Sequence, residues 1–218
     1  MKRPHVIINC AMSADGKIAL SSRKQVRISN REDIVRMYQL RNICDAVVVG
    51  IETVLSDNPR LTVKSDYVKK VHQPLRIVLD SNCRIPPDAL VVNTDAKTLI
   101  VTAPGRQKHF HKDHIEVLSC PIDKRGFLDL ESLLELLMKK GFKSILVEGG
   151  GTVIWDFLQK RLVDDLYIYI GPYIIGGKTT PTVADGEGTA EESQMIKLKI
   201  VEVKHLGEGV LVHYQLIP

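Results

Sequence analysis

Residues 146–159, LVEGGGTVIWDFLQ, place a carboxylate, Glu148, and the glycines Gly149, Gly150 and Gly151 where an apolar run gives way to an amphipathic one, with Thr152 directly after. Glycine inside an element costs stability, so three in a row point to a backbone task that side chains would obstruct. If a strand ends at Glu148 and a helix starts near Thr152, free N–H groups and the positive end of a helix dipole face an anion there. One chemistry is a pyrophosphate cradle for a dinucleotide; the other reading is a tight strand-to-helix turn with no ligand. The run is neither GxGxxG nor a Walker loop, and no Lys-Ser/Thr pair follows it. Glu148 weighs toward a ligand, because a charge buried at the end of an apolar strand is costly unless it faces a cleft. There it can hydrogen-bond a polar substrate or serve as an acid, the alternative being a cap for the following helix.

Three other stretches place polar residues after an apolar run: NCAMSADGKIAL (9–20), GIETVLSDNPRLT (50–62) and LDSNCRIP (79–86). The second carries Thr53, Asp57 and an Asx-type turn at Asn58 before Pro59, which is also a common loop signal. The third puts Ser81 and Arg84 just past a strand. Open α/β sheets bind ligands at the carboxyl ends of their strands, so four polar edges of this kind suggest one site.

The elements that would position them alternate. HVIINCA (5–11), DAVVVG (45–50), PLRIVLD (74–80), TLIVTA (98–103), IEVLS (115–119) and SILVEG (144–149) are β-branched and apolar nearly throughout, as strands covered on both faces should be. SNREDIVRMYQLRNIC (29–44) reads as a helix opened by a capping box, Ser29-x-x-Glu32, with Ile34, Met37, Leu40 and Cys44 at helical spacing. DLESLLELLMKKGF (129–142) is a clearer helix, with Gly141 as its C-cap, and a third runs from about Thr152 to Lys160. The segments 165–177, 195–207 and 209–217 then read as strands, the last two joined by a hairpin at Gly207-Glu208-Gly209. Residues 178–193 read as a polar surface loop, ordered or mobile. The expectation is a single α/β domain over residues 1–218, a mainly parallel sheet closed by antiparallel strands with flanking helices.

Composition narrows the chemistry. A chain of 218 residues with 44% hydrophobic content and a formal charge of +4 is an ordinary globular protein whose basic residues form no arm. That disfavours nucleic acid and suits a phosphorylated small molecule. The cysteines Cys10, Cys44, Cys83 and Cys120 are widely spaced without a CxxC, so buried free thiols rather than metal ligands are expected. The apolar run after the basic start breaks at Asn9, too short for a secretory leader, and no stretch approaches a membrane span, so the expected location is cytoplasmic.

Taken in order, the segments resemble a known family. A-x-S-x-D-G-K-I-A (11–19), G-x-x-T-V-L-x-D-N-P-x-L-T (50–62), L-D-S (79–81), V-E-G-G (147–150) and D-x-L-x-x-Y-I-x-P-x-x-I-G-G (165–177, with one spacing difference at Gly171) are similar to the reductase of riboflavin biosynthesis. The match is to its stand-alone archaeal and fungal type, equivalent to the C-terminal half of the bacterial bifunctional deaminase–reductase. The resemblance implies a dihydrofolate-reductase-like fold, a homodimer, NADPH as cofactor and hydride transfer to C1′ of a ribosylamino pyrimidine 5′-phosphate through the ring-opened imine. By position it places cofactor contacts on Ala11, Thr53, Asp57, Ser81, Arg84 and Gly149 to Thr152, and substrate contacts on Arg41, Leu61, Lys64 and Glu148. Arg41 and Lys64 also make sense as a cationic pair for the 5′-phosphate, against the alternative of a solvated helix face and a loop lysine.

Where the bacterial enzymes carry lysine on the first strand, this chain has Asn9, which offers a donor and an acceptor but no charge. Asn9 can recognise the 2-amino-pyrimidinone before deamination, and with Glu148 it makes up the expected catalytic pair. Ser13 to Asp15 would frame the ring pocket, and Asp15-Gly16 would fix a turn beside it. Arg84, with Arg106 as alternative, is the expected contact to a cofactor 2′-phosphate. No metal is implied, and the chain lacks the H-x-E…P-C-x-x-C zinc signature of the deaminase. The competing readings are a reductase for the deaminated ring, a dihydrofolate-type reductase, and a nucleotide-binding module without chemistry.

Overall fold

The computed structural model describes residues 2–108 and 110–217. In chain order the elements are β1 (His5–Ser13), α1 (Arg31–Ile43), β2 (Ala46–Gly50), α2 (Ile51–Asp57), β3 (Leu75–Leu79), β4 (Thr98–Thr102), β5 (Ile115–Ser119), α3 (Leu130–Lys139), β6 (Ser144–Gly149), α4 (Gly151–Gln159), β7 (Asp165–Gly171), β8 (Leu198–Leu206) and β9 (Gly209–Leu216). Contacts gather them into two compact units, residues 2–5 with 38–146, and residues 6–37 with 147–217.

In the first unit β2, β3, β4 and β5 lie side by side, every pair parallel. Their sequences AVVVG, LRIVL and TLIVT are buried almost throughout, the pattern of strands covered on both faces. Val47, Val49, Val78 and Ile100 meet Ile51, Val54, Leu61, Ile85 and Val91 in one apolar cluster. Arg76 on β3 is wholly buried and donates to the Asn93 side chain and to the Asn93 and Ala96 carbonyls, which pins the loop before β4. α3 is capped by Asp129, which accepts from the Glu131 N–H, and buries Leu130, Leu133, Leu134 and Leu137 along one stripe.

In the second unit β1 pairs with β7 in parallel, β7 with β9 and β9 with β8 antiparallel. Gly207 and Glu208 form the two-residue hairpin turn, and Gly207 takes the left-handed conformation, φ +60, that such turns require. The expected fold class, a mainly parallel sheet with a C-terminal antiparallel hairpin and flanking helices, is what the structure has.

Local readings are corrected. α1 is capped by Asn30, whose Oδ1 accepts from the Asp33 N–H at 2.9 Å, while Ser29 Oγ donates to Asp33 Oδ2. The Ser29/Glu32 box gives way because the Asn30 amide also donates to the Leu206 carbonyl, tying the helix start to the end of β8. The stretch after β2 is the helix α2, too short for periodicity to reveal it. β7 stops at Gly171, before Pro172, which has no N–H to give a ladder. Residues 178–193 form the expected surface loop, and its part 182–186 packs on α4: a Cβ on Gly151 would meet the Thr182 carbonyl at 2.6 Å, and one on Gly186 the Trp155 ring at 2.3 Å.

Candidate active site

The expected site residues divide between the two units. In the second, β1 ends with Asn9, Ala11 and Ser13 facing the same side of the sheet, since alternate residues share a face. Asn9 is 7% exposed, and its Oδ1 accepts a 2.6 Å hydrogen bond from Arg36 Nη2. Ala11 packs against Tyr169, Leu206 and Leu211. Beyond the strand, Asp15 accepts from Ser13 Oγ at 2.6 Å and from the Ile175 and Gly176 N–H groups. The Ser13 hydroxyl, then these backbone donors, hold its carboxyl well below the usual range, at about 2. Gly16 closes the expected turn, its N–H donating to the Ser13 carbonyl.

Asn9, Tyr167 and His213 stand opposite one another in the register of β1, β7 and β9. The Tyr167 and His213 rings stack at 4.2 Å, and Asp165 Oδ1 takes the His213 Nε2 at 2.6 Å. Tyr169, one step along the same face, is fully buried. Cys10 points to the other side; burial pushes its thiol up to about 12. All four cysteines are free thiols.

Glu148 is the penultimate residue of β6, half-buried at the carboxyl end as expected. Gly150 is the N-cap residue of α4 and, as a glycine, brings no side-chain cap to the helix start. At Gly151, Asp185 Oδ2 lies 2.8 Å from the position a Cβ would take. The loop holds that carboxylate there through the Thr182 N–H and hydroxyl. Thr152 is exposed on the first turn. Close packing against this loop sets Gly151, and Gly150 is the cap residue of the helix.

In the first unit α2 carries Thr53 and Asp57. Asp57 Oδ1 is buried without a hydrogen-bond partner, and burial raises its carboxyl above the ordinary value. An orphaned acceptor here fits a ligand donor such as a ribose hydroxyl. Ser81 follows β3, half-buried, and its carbonyl accepts from the Ala103 N–H. Arg84 is ion-paired with Glu52 on α2, a partner the sequence did not suggest. Arg106 is exposed in the turn after β4.

Arg41, Leu61 and Lys64 lie in the same unit. Arg41 donates to the Thr62 carbonyl at 3.1 Å, and its guanidinium carbon is 5.5 Å from the centre of the Tyr38 ring. Lys64 Nζ is 5.9 Å from the same ring, which stacks on Tyr67 at 4.5 Å. The structure thus brings the two cations to one aromatic platform, an arrangement suited to a phosphate dianion. Leu61 buries its side chain in the core at 2% exposure and adopts φ +53, so its backbone is what it can offer a ligand. Sequence reasoning missed Arg36, Asp33, Tyr38 and Tyr67; only the i, i+3 spacing of Asp33 and Arg36 hinted at a pair. Among the described residues no cluster of His, Cys, Asp and Glu is placed to hold a metal ion.

Comparison with known proteins gives the family of the chain. The chain is 42% identical over 217 residues to the 2,5-diamino-6-ribosylamino-4(3H)-pyrimidinone 5′-phosphate reductase of Archaeoglobus fulgidus, covering 96% of this chain and 97% of that one. It is 39% identical to the protein of the same name from Methanothermobacter thermautotrophicus, over 97% and 98% of the two chains. Among solved structures, a diaminohydroxyphosphoribosylaminopyrimidine deaminase/5-amino-6-(5-phosphoribosylamino)uracil reductase from Thermotoga maritima superposes with a TM-score of 0.83 at 28% identity. The chain spans 57% of that protein's length. The family model of the RibD C-terminal domain matches residues 4–212, and the chain belongs to that family.

Proposed function

We propose that this protein is an oxidoreductase that reduces the ribosylamino group of 2,5-diamino-6-ribosylamino-4(3H)-pyrimidinone 5′-phosphate to the ribitylamino product, with NADPH as cofactor. The observation that carries the reading is end-to-end likeness, at 42% identity, to a reductase of that name. The cation pair on the Tyr38 ring supports a phosphorylated substrate, and the orphaned Asp57 acceptor supports a hydroxyl-bearing cofactor. When bound, NADPH supplies the hydride.

The chain's residues bind and orient in this reading. Arg41 and Lys64 hold the 5′-phosphate, and the Leu61 backbone borders the substrate. Glu148 orients the ribose hydroxyls or assists protonation as the sugar ring opens, while Asn9 meets the pyrimidine. Ala11, Thr53, Asp57, Ser81 and the segment Gly149 to Thr152 hold the cofactor, and Arg84 reads its 2′-phosphate by exchanging Glu52 for it. In this reading residues 1–218 make up a single reductase domain. A homodimer is the family expectation, and β8, exposed along nearly its whole length, is the surface in keeping with it. A cytoplasmic location fits four free cysteines and a soluble metabolite as substrate.

A second reading, reduction of the deaminated ring, is favoured by the name of the Thermotoga maritima relative, at the lower identity of 28%. NADPH absorbance followed with each of the two pyrimidine phosphates separates them. Preferential oxidation with the diamino compound is expected; oxidation only with the deaminated one would replace the substrate and keep the reaction. Glu148→Gln with unchanged turnover and affinity would remove Glu148 from the chemistry.

A further inference from the structure

Arg36, on the first half of α1, is tied from two sides. Its Nε and Nη2 both donate to Asp33 Oδ1, at 3.0 and 2.6 Å. Asp33 is 2% exposed and is itself fixed by the Asn30 carboxamide and the Ser29 hydroxyl. Across from it the Tyr167 ring centre lies 5.6 Å from the guanidinium carbon, and Tyr167 is the register partner of Asn9. Held there, Arg36 Nη2 donates to Asn9 Oδ1 at 2.6 Å, while Nη1 is buried with no acceptor. A buried guanidinium nitrogen left without a partner is costly, so the placement calls for a reason beyond the ion pair.

A carboxamide has one end that accepts and one that donates, and a guanidinium only donates. Arg36 therefore commits the oxygen of Asn9 to itself and leaves the amide nitrogen as the end that can meet a ligand. We propose that Arg36 is a positioning residue that fixes Asn9 as a hydrogen-bond donor toward the substrate ring, so that the site reads an acceptor there, a carbonyl oxygen or an unprotonated ring nitrogen. The inference rests on the reductase reading above. It also narrows the sequence expectation: an asparagine free to donate or accept becomes a donor, and a direct bond from its oxygen to the 2-amino group is no longer its main role.

The test is steady-state kinetics with NADPH and the diamino pyrimidine phosphate for wild type, R36M, R36K, N9A, N9D and the R36M/N9A double variant. R36M raises KM for the pyrimidine about tenfold while KM for NADPH moves less than about twofold. R36K, which keeps a donor for Asn9 and a charge for Asp33, recovers most of the loss. N9D keeps Arg36 paired, since a carboxylate accepts at both oxygens, yet lacks the donor; it shows the same rise in KM. In the N9A background R36M adds nothing further, the signature of two residues acting through one contact. Additive effects of R36M and N9A, or an N9D enzyme that binds the pyrimidine like wild type, would overturn the proposal. If R36M does not fold, N9D decides by itself. Wild-type protein that oxidises NADPH with neither pyrimidine would instead overturn the reductase reading, and the inference with it.

Discussion

Asp15 illustrates what one side chain contributes. It joins the end of β1 to residues 175–176 through one hydroxyl and two backbone donors, and these keep its carboxylate charged down to about pH 2. A carboxyl whose folded pKa is depressed stabilises the fold above its unfolded pKa, about 4, and loses that contribution as pH falls toward the folded value. Asp15→Asn should therefore lower the thermal midpoint at pH 7, and the gap to wild type should shrink between about pH 4 and pH 2. A gap independent of pH would show that the turn, and not the charge, is what Asp15 supplies. Tyr38 makes a second case. Loss of its ring in Tyr38→Leu removes the platform under Arg41 and Lys64, and each cation–π contact is worth about 0.5–1 kcal/mol. KM for the pyrimidine phosphate should rise about three- to tenfold with KM for NADPH unchanged. The turn at Asp15-Gly16 was legible in the sequence, because glycine after aspartate is a turn signal. The partners at Ile175 and Gly176 were not, because nothing local records which distant N–H groups a carboxylate will meet.

α1 and α2 show how elements share this work. The most buried residues of α1 include Asp33 and Tyr38, both polar, while Ile34, Met37 and Leu40 are only half-buried. The helix carries Asp33 and Arg36 in one half and the Tyr38 platform with Arg41 in the other, so its apolar stripe told only part of what it faces. α2 follows β2 without a connecting loop and sets Glu52 beside Arg84. Both partners are well exposed, so the pair itself is weak, well under about 1 kcal/mol. Arg84→Gln should raise KM for NADPH about tenfold and leave KM for NADH unchanged, whereas Glu52→Gln should lower KM for NADPH slightly, about twofold. Equal losses for both cofactors in Arg84→Gln would move the 2′-phosphate contact elsewhere, with Arg106 next to test. The buried strands were readable since β-branched runs covered on both faces have few other conformations open to them. α2 was not, since seven residues hold too few turns for a helical period to emerge.

For the molecule as a whole, β8 is the feature that its own chain leaves open. Ile200 and Val203 are 58% and 60% exposed on a strand paired on one side only by β9, and such an apolar edge invites another strand. Lysine at both positions should shift the protein to a smaller species in light scattering coupled to gel filtration. An unchanged mass would place the homodimer contact on another surface, and a monomeric wild type would remove the family expectation.

The local sequence determined the alternation of buried strands and helices, the hairpin at Gly207-Glu208 and the strand-end positions of Glu148 and Ser81. These follow from side-chain period, β-branching and turn chemistry, which act over a few residues. Tertiary structure alone decided that Asn9 turns its oxygen to Arg36, that Asp185 sits against Gly151, that Arg84 is already paired and that two cations share the Tyr38 ring. Each depends on side chains far apart in the chain reaching the same few ångströms. Hydrogen-bond direction and charge pairing are fixed only when those partners meet.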